Sequence, residues 1–305
     1  MSLQPAERKE HVARTQKIDV HIHTVAKKGP ERLGGGYFAT PEELKRIYQR
    51  LGIQKGVILP LLQPECCVQM QSNEEAYDLV RRYPGMFSWF CNIDVRFEKN
   101  SPTTDLSRYI NHYKKYGAKG IGETFFNLPF DHPMVDNLFY HSGACDMPVL
   151  IHIAPQIGGT YGIYDKLGLP LLERTLAKFP KARIIGHSTC FWSHISSDVT
   201  QETMGQYHKG KVTPGRIWEL MKNYPNLFCD LSAGSGQSAI TRDYEFGCRF
   251  LNEFSDRIYF GTDICDPTNQ TIVLSHWLDE AFIRGDLTQE TYNKISFKNA
   301  ETLLA

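Results

Sequence analysis

The chain has 305 residues, 41% of them hydrophobic, and its 34 Lys and Arg balance 34 Asp and Glu. Such a length buries a large core as one α/β barrel or as two ordinary domains, and no compositional break marks two. The neutral balance excludes a global field that would gather nucleic acid or an anionic membrane surface, and no 18 uncharged apolar residues run together to span a bilayer. The first 16 residues, MSLQPAERKEHVARTQ, are a polar extension without the apolar core of a signal peptide, so the chain reads as a cytoplasmic protein. Its eight cysteines, at 66, 67, 91, 145, 190, 229, 248 and 265, include no C-x-x-C pair and read as reduced thiols.

Residues 17–24, KIDVHIHT, alternate Ile18, Val20 and Ile22 with Asp19, His21 and His23. This is the period of a β-strand, and it sends both imidazoles to one face, where two neutral rings suit a Zn²⁺-type ion. The Gly-rich stretch 24–39 is too irregular for a helix and is a candidate lid. Thr40 opens a helix, with Pro41 at its first position, Glu43 completing a capping box, Leu44, Ile47 and Leu51 at helical spacing, and Gly52 as the stop. Strand 54–61 follows, then a helix from Ser72 and Glu75 through Tyr83, strand 86–94, a helix over 104–116 and strand 119–124. A helix over 134–145 leads to strand 149–153, a helix over 165–179 to strand 183–187, and a long segment 188–213 to a helix over 214–223. Strands 227–231 and 258–263 flank a helix over 244–254, and helices over 272–284 and 288–304 close the chain.

Eight short apolar strands separated by helices imply a parallel sheet, since parallel pairs need crossovers and bury both faces. The expectation is an α/β fold over residues 1–305: one domain, a single (β/α)8 barrel of the TIM type with extra C-terminal helices. An open doubly wound sheet is the alternative. In such a barrel the active face is built where strands end. His21 and His23 end strand one, Glu123 strand four, His152 strand five, His187 strand six and Asp263 strand eight.

This ordered set resembles the amidohydrolase superfamily: His-x-His after strand one, Lys or Glu after strand four, His after five and six, Asp after eight. Within it the chain is similar to the amidohydrolase-related branch of hydrolases, lactonases and metal-dependent decarboxylases. The resemblance implies a metal site of His21, His23, Glu123, His152, His187 and Asp263. The ion would be Zn²⁺, one or two per chain, with Mn²⁺, Fe²⁺ or Co²⁺ as alternatives. Asp263 would both touch metal and move a proton as the catalytic residue. Glu123 would bridge two ions or hydrogen-bond a ligand histidine from behind.

The corresponding function is a metal-dependent hydrolase that activates water against an amide, ester or lactone. Non-oxidative decarboxylation at the same site is the alternative. A TatD-like nuclease fits less well because the charge is balanced, and a non-catalytic barrel would be free to lose the ligand set. Lys27, Lys28 and Arg32 beside strand one, Arg96 after strand three and Arg242 after strand seven suggest an anionic small-molecule substrate. Arg32, Arg96, Arg242 and His194, in the long segment after strand six, are therefore the substrate-binding candidates. Nucleic-acid and membrane partners are not expected, while exterior helices leave a homo-oligomer open.

Overall fold

The structure, a computed structural model, describes residues 3–66, 68–269 and 272–305. Among the described residues nine strands are parallel to their neighbours: β1 Lys17–Ile22, β2 Ile53–Ile58, β3 Phe87–Trp89, β4 Ile121–Thr124, β5 Val149–Ala154, β6 Ile163–Tyr164, β7 Ile184–His187, β8 Leu227–Asp230 and β9 Ile258–Tyr259. The order β1-β2-β3 continues through a Cys91 to Ile121 bridge into β4-β5-β7-β8-β9. Closure comes from an Ile22 to Ile264 bridge, from Val20 N–H to the Phe260 carbonyl at 3.1 Å, and from Asp263 N–H to the His21 carbonyl at 2.9 Å. The closed ring is a TIM barrel, and closure excludes the open sheet. The short β6 is an addition docked on the end of β5.

The connecting helices follow in order: α1 Pro5–Arg14, α2 Pro41–Leu51, α3 Asn73–Arg82, α4 Ser107–Lys115, α5 Pro133–Ala144, α6 Pro170–Lys178, α7 Thr189–Ser193, α8 Arg216–Asn223, α9 Ala233–Thr241, α10 Tyr244–Glu253 and α11 Val273–Arg284. The C-terminal run is α12 Gln289–Asn293, a π-turn at Lys294–Lys298 and α13 Asn299–Leu304. Ala300 and Leu303 of α13 join Val20, Val57, Phe90, Leu150 and Ile185 in one buried cluster, so this helix packs against the barrel strands. Among the described residues no helix is long and apolar enough to cross a membrane.

Local chemistry explains several boundaries. The Glu43 carboxylate accepts from Thr40 N–H at 2.9 Å, and Gly52 ends α2 at φ 65°, a backbone that costs glycine little. Ser72 caps α3 by accepting Glu75 N–H at 3.1 Å, but the Glu75 carboxylate turns instead to Ala26 N–H at 2.8 Å and pins the loop after β1. The helix expected over 165–179 begins only at Pro170, because β6 precedes it and the Asp165 carboxylate accepts from Lys166, Leu171 and Leu172 N–H. The segment 188–213 contains α7, α9 follows β8, and the polar extension forms α1. Arg8 ties α1 to the barrel by donating to the Phe282 carbonyl at 2.9 Å. Cys67 and the Cys66 side chain lie outside the described residues; the other six cysteines are free thiols.

Candidate active site

The C-terminal ends of the strands bring the predicted donors together. Asp19 leaves the alternation to serve closure: its carboxylate accepts from Tyr48 and from Thr262 N–H at 2.9 Å each, and the β1–β2 ladder shifts register between Asp19 and Ile22. Beyond that shift His21 and His23 turn their Nε2 atoms to within 3.2 Å of each other. Glu123 Oε2 stands 2.9 Å from His21 Nε2 and 3.3 Å from His23 Nε2, and Asp263 Oδ1 stands 3.6 and 3.5 Å from the same two atoms. The other Glu123 oxygen is 2.6 Å from His152 Nδ1 and 3.7 Å from His187 Nε2. Glu123 therefore turns one oxygen to each pair of histidines.

The far side of each ring decides what the near side can do. His23 Nδ1 donates to the Leu59 carbonyl at 2.9 Å, and His21 Nδ1 donates to Asp230 at 2.7 Å. With one proton held there, each Nε2 is free to meet a positive centre: a second proton, which the carboxylates favour on His21, or a cation in its place. Two imidazole Nε2 atoms and two carboxylate oxygens face one point in a site where His21 is fully buried and Glu123 is 2% exposed. Buried carboxylates gathered on one point call for positive charge there, and the imidazole and carboxylate atoms fit a divalent ion. Donors from His21, His23 and Glu123, and from Glu123, His152 and His187, each lie within 4.8 Å of one another.

The electrostatics agree. Burial opposes charge on His21, but the Glu123, Asp263 and Asp230 carboxylates together outweigh it and raise its pKa well above the ordinary imidazole value. Burial likewise pushes Glu123 up, yet His21, His187 and the hydrogen bonds from His152 and His21 hold it well below the usual carboxylate range. His152 differs. Burial lowers its pKa against the pull of Glu123. Its ring stands 4.5 Å from Tyr161 and 6.2 Å from Phe125, at the wall of the cavity above.

That cavity, about 250 Å³, opens over His23, Glu123, His152 and Asp263, with Phe38, Leu61, Val68, Phe125 and Tyr161 among its walls. Of the proposed substrate-binding groups, Arg32 lines it, its guanidinium 5.1 Å above the Phe38 ring. The other three lie elsewhere. Arg96 is held by Asp94 at 2.8 and 2.7 Å and by Glu65 at 2.8 Å, so neighbouring carboxylates neutralise its charge. Arg242 caps the end of α9 and borders a separate small cavity with Trp192 and Ser235. His194 is buried, donating to the Cys190 carbonyl at 2.7 Å and accepting Gly168 N–H at 3.0 Å, so it pins loops instead of reaching substrate.

Sequence reasoning missed Asp230 and Ser232. Asp230 ends β8, is fully buried, and accepts from His21 Nδ1, from Ser232 Oγ at 2.6 Å and from Ser232 N–H at 2.9 Å; His187 Nδ1 lies 3.2 Å away. Burial raises its pKa, but His21 and His187 outweigh that and hold it below the usual carboxylate value. The available signal was a carboxylate closing the apolar run LFCD, the position in this barrel where the other site residues were found. Gly261 makes the arrangement possible: a Cβ there would sit 2.5 Å from Asp230 Oδ1 and 2.8 Å from Ser232 Cβ.

Fold and site together define an enzyme-like barrel with a buried cluster of metal-type donors. The chain belongs to the amidohydrolase family, whose profile matches residues 18–305. A search of curated proteins found no match. Among solved structures, an uncharacterized TIM-barrel protein, Bb4693 of Bordetella bronchiseptica, superposes with a TM-score of 0.62 at 16% identity, covering 95% of this chain and 98% of that one. A putative 2-pyrone-4,6-dicarboxylic acid hydrolase from Pseudomonas putida gives 0.62 at 14%, covering 95% and 97%. A dihydroxybenzoic acid decarboxylase from Polaromonas sp. JS666, with bound manganese and 2-nitroresorcinol, gives 0.57 at 15%, covering 95% and 97%.

Proposed function

We propose that this protein is a metal-dependent hydrolase of a small anionic amide, ester or lactone, acting as one catalytic domain. The observation that carries the reading is the pair of Nε2 atoms, 3.2 Å apart and flanked by carboxylates, at the floor of an open cavity. His21, His23, Glu123 and Asp263 would hold one ion, with Zn²⁺ first and Mn²⁺ next. Glu123, His152 and His187 would hold a second where two bind. A divalent ion supplies Lewis acidity and makes water ionise near neutral pH.

The residues supply the rest. The Asp263 side chain is 25% exposed against 3% for Glu123, so it is the carboxylate with access to the cavity. Asp263 takes the proton that water loses as its oxygen adds to the substrate carbonyl carbon, and returns it to the leaving heteroatom. Arg32 offers a fork for an anionic group, and the apolar walls exclude water from the substrate body. The decarboxylase reading uses the same floor, and it is supported by the decarboxylase named among the similar structures.

Metal per chain, counted by mass spectrometry, tests the centre: the His21→Ala/His23→Ala double variant is expected to lose metal that the parent holds, and full occupancy in it would refute the reading. Asp263→Asn is expected to abolish turnover while retaining most metal. On a panel of carboxylated lactones and aryl acids, incorporation of ¹⁸O from water identifies hydrolysis, and CO₂ release without it identifies decarboxylation.

A further inference from the structure

Glu123 is the group on which all four histidines converge, yet its own carbonyl is held by a side chain. Asn92, fully buried one residue beyond the Cys91 to Ile121 bridge, donates through Nδ2 to the Glu123 carbonyl at 2.7 Å and to the Pro60 carbonyl at 2.7 Å. Its Oδ1 accepts from Gln63 Nε2 at 2.6 Å. Its main chain is clasped by Asn73, which accepts Asn92 N–H at 2.7 Å and donates to the Asn92 carbonyl at 2.9 Å. Gln63 Oε1 in turn accepts Phe125 N–H at 3.4 Å, two residues beyond Glu123. Two linked amides thus grip the backbone immediately after the Glu123 side chain, at its own carbonyl and at Phe125 N–H, where the β4–β5 ladder shifts register between Ile121 and Thr124.

We infer that Asn92, backed by Gln63, is a positioning residue that sets the Glu123 carboxylate between the two histidine pairs, an inference resting on the reading of this site as an ion-binding centre. The geometry demands it. A buried carbonyl outside the ladder needs a donor, and both Nδ2 protons are spent on the carbonyls that follow β2 and close β4. A fully satisfied buried amide network fixes one arrangement, and that arrangement delivers Glu123 oxygens to His21 at 2.9 Å and to His152 at 2.6 Å.

The test uses the full chain stripped of metal. In long-range ¹⁵N–¹H spectra, Asn92→Ser is expected to shift the ring signals of His21 and His152 while those of His194, bonded to Cys190 and Gly168, stay in place. Zn²⁺ affinity should fall about 10-fold or more, the range for losing a partner behind a ligand. In a Glu123→Ala background the same change should move the His21 signals no further, since Asn92 acts through Glu123. If Asn92→Ser does not fold, Gln63→Met is expected to shift the same rings. A lowered melting temperature with unmoved His21 and His152 signals would make Asn92 merely structural and overturn the inference, as would equal shifts with and without Glu123. A parent that binds no Zn²⁺ but shows the coupled shifts would refute the ion-binding reading and leave the positioning role standing.

Discussion

Asp230→Asn isolates the charge behind the histidines. Asp230 Oδ2 accepts from His21 Nδ1 and from Ser232 Oγ and has His187 Nδ1 at 3.2 Å, and Oδ1 accepts Ser232 N–H. The amide is nearly isosteric but keeps one acceptor oxygen. If that oxygen takes the Oδ2 place, the new NH₂ opposes Ser232 N–H at 2.9 Å. If it takes the Oδ1 place, the NH₂ faces two rings and a hydroxyl, and a ring must move its proton to Nε2, into the ion site. Either way a charge-assisted hydrogen bond of about 1.5–3 kcal/mol is lost. Losing such a partner behind a ligand weakens metal binding about 10- to 100-fold, or about 1.4–2.7 kcal/mol.

The assay is competition against a chromophoric chelator, paired with thermal unfolding with and without saturating Zn²⁺. The stabilisation that metal adds should shrink by that same amount, because it follows the dissociation constant directly. Affinity within twofold of the parent would refute the argument that Asp230 fixes the ring protons. A variant that loses stability equally with and without metal would refute it too, since Asp230 would then serve the fold alone.

Gly261→Ala would push a Cβ to 2.5 Å from Asp230 Oδ1, and overpacking of this kind costs about 1–3 kcal/mol. A lower urea midpoint at unchanged slope, with weaker Zn²⁺ binding, is expected, and parent-like values for both would refute the close approach. Asp165 gives a pH signature. Burial, only partly offset by the N–H groups of Leu172, Leu171 and Lys166, lifts its pKa from 3.8 to about 6. A raised folded-state pKa means stability present below pH about 4 and lost as the pH climbs through about 6, at most about 3 kcal/mol. Relative to Asp165→Asn, the parent should therefore lose stability between pH 4 and 7; parallel curves in a urea series would show that the carboxylate ionises without penalty.

The barrel was legible because parallel strands must be apolar on both faces and separated by helices, and the donors were legible because they close those strands. His21, His23, His152 and His187 each interrupt or end an apolar run, and the structure gathers all four around Glu123. What stayed hidden is fixed by contacts distant in sequence. Asp230 reads as an ordinary strand end until His21, 209 residues away, is placed against it. Arg96 and Arg242 look like mouth cations by position, but Asp94, Glu65 and the end of α9 decide where their charges go. The helix α1 was missed because none of its residues is buried, so no apolar stripe marks it.

The supports differ from one candidate ligand to the next. His21 rests on a carboxylate, His23 on the Leu59 carbonyl, His187 on the Ser232 hydroxyl at 3.0 Å, and Glu123 on the amides of Asn92 and Gln63. A shift in one support therefore need not disturb the others, except through Glu123, which touches every ring. His152 is the exception: its Nδ1 bonds Glu123 itself, its ring lies beside Tyr161, and its side chain is 18% exposed. Against an ionised Glu123 that Nδ1 carries the proton, so its bare nitrogen is Nε2. For His152 to join Glu123 and His187 around a second ion, its ring must turn or exchange that proton. At the first site His21 Nδ1 and His23 Nδ1 already rest on Asp230 and on the Leu59 carbonyl with both Nε2 atoms turned to one point, so an ion there displaces only the proton that the carboxylates favour on His21 Nε2 and no ring has to turn. An ion is therefore expected to bind first at His21 and His23, where no ring has to turn, and a second to wait on His152.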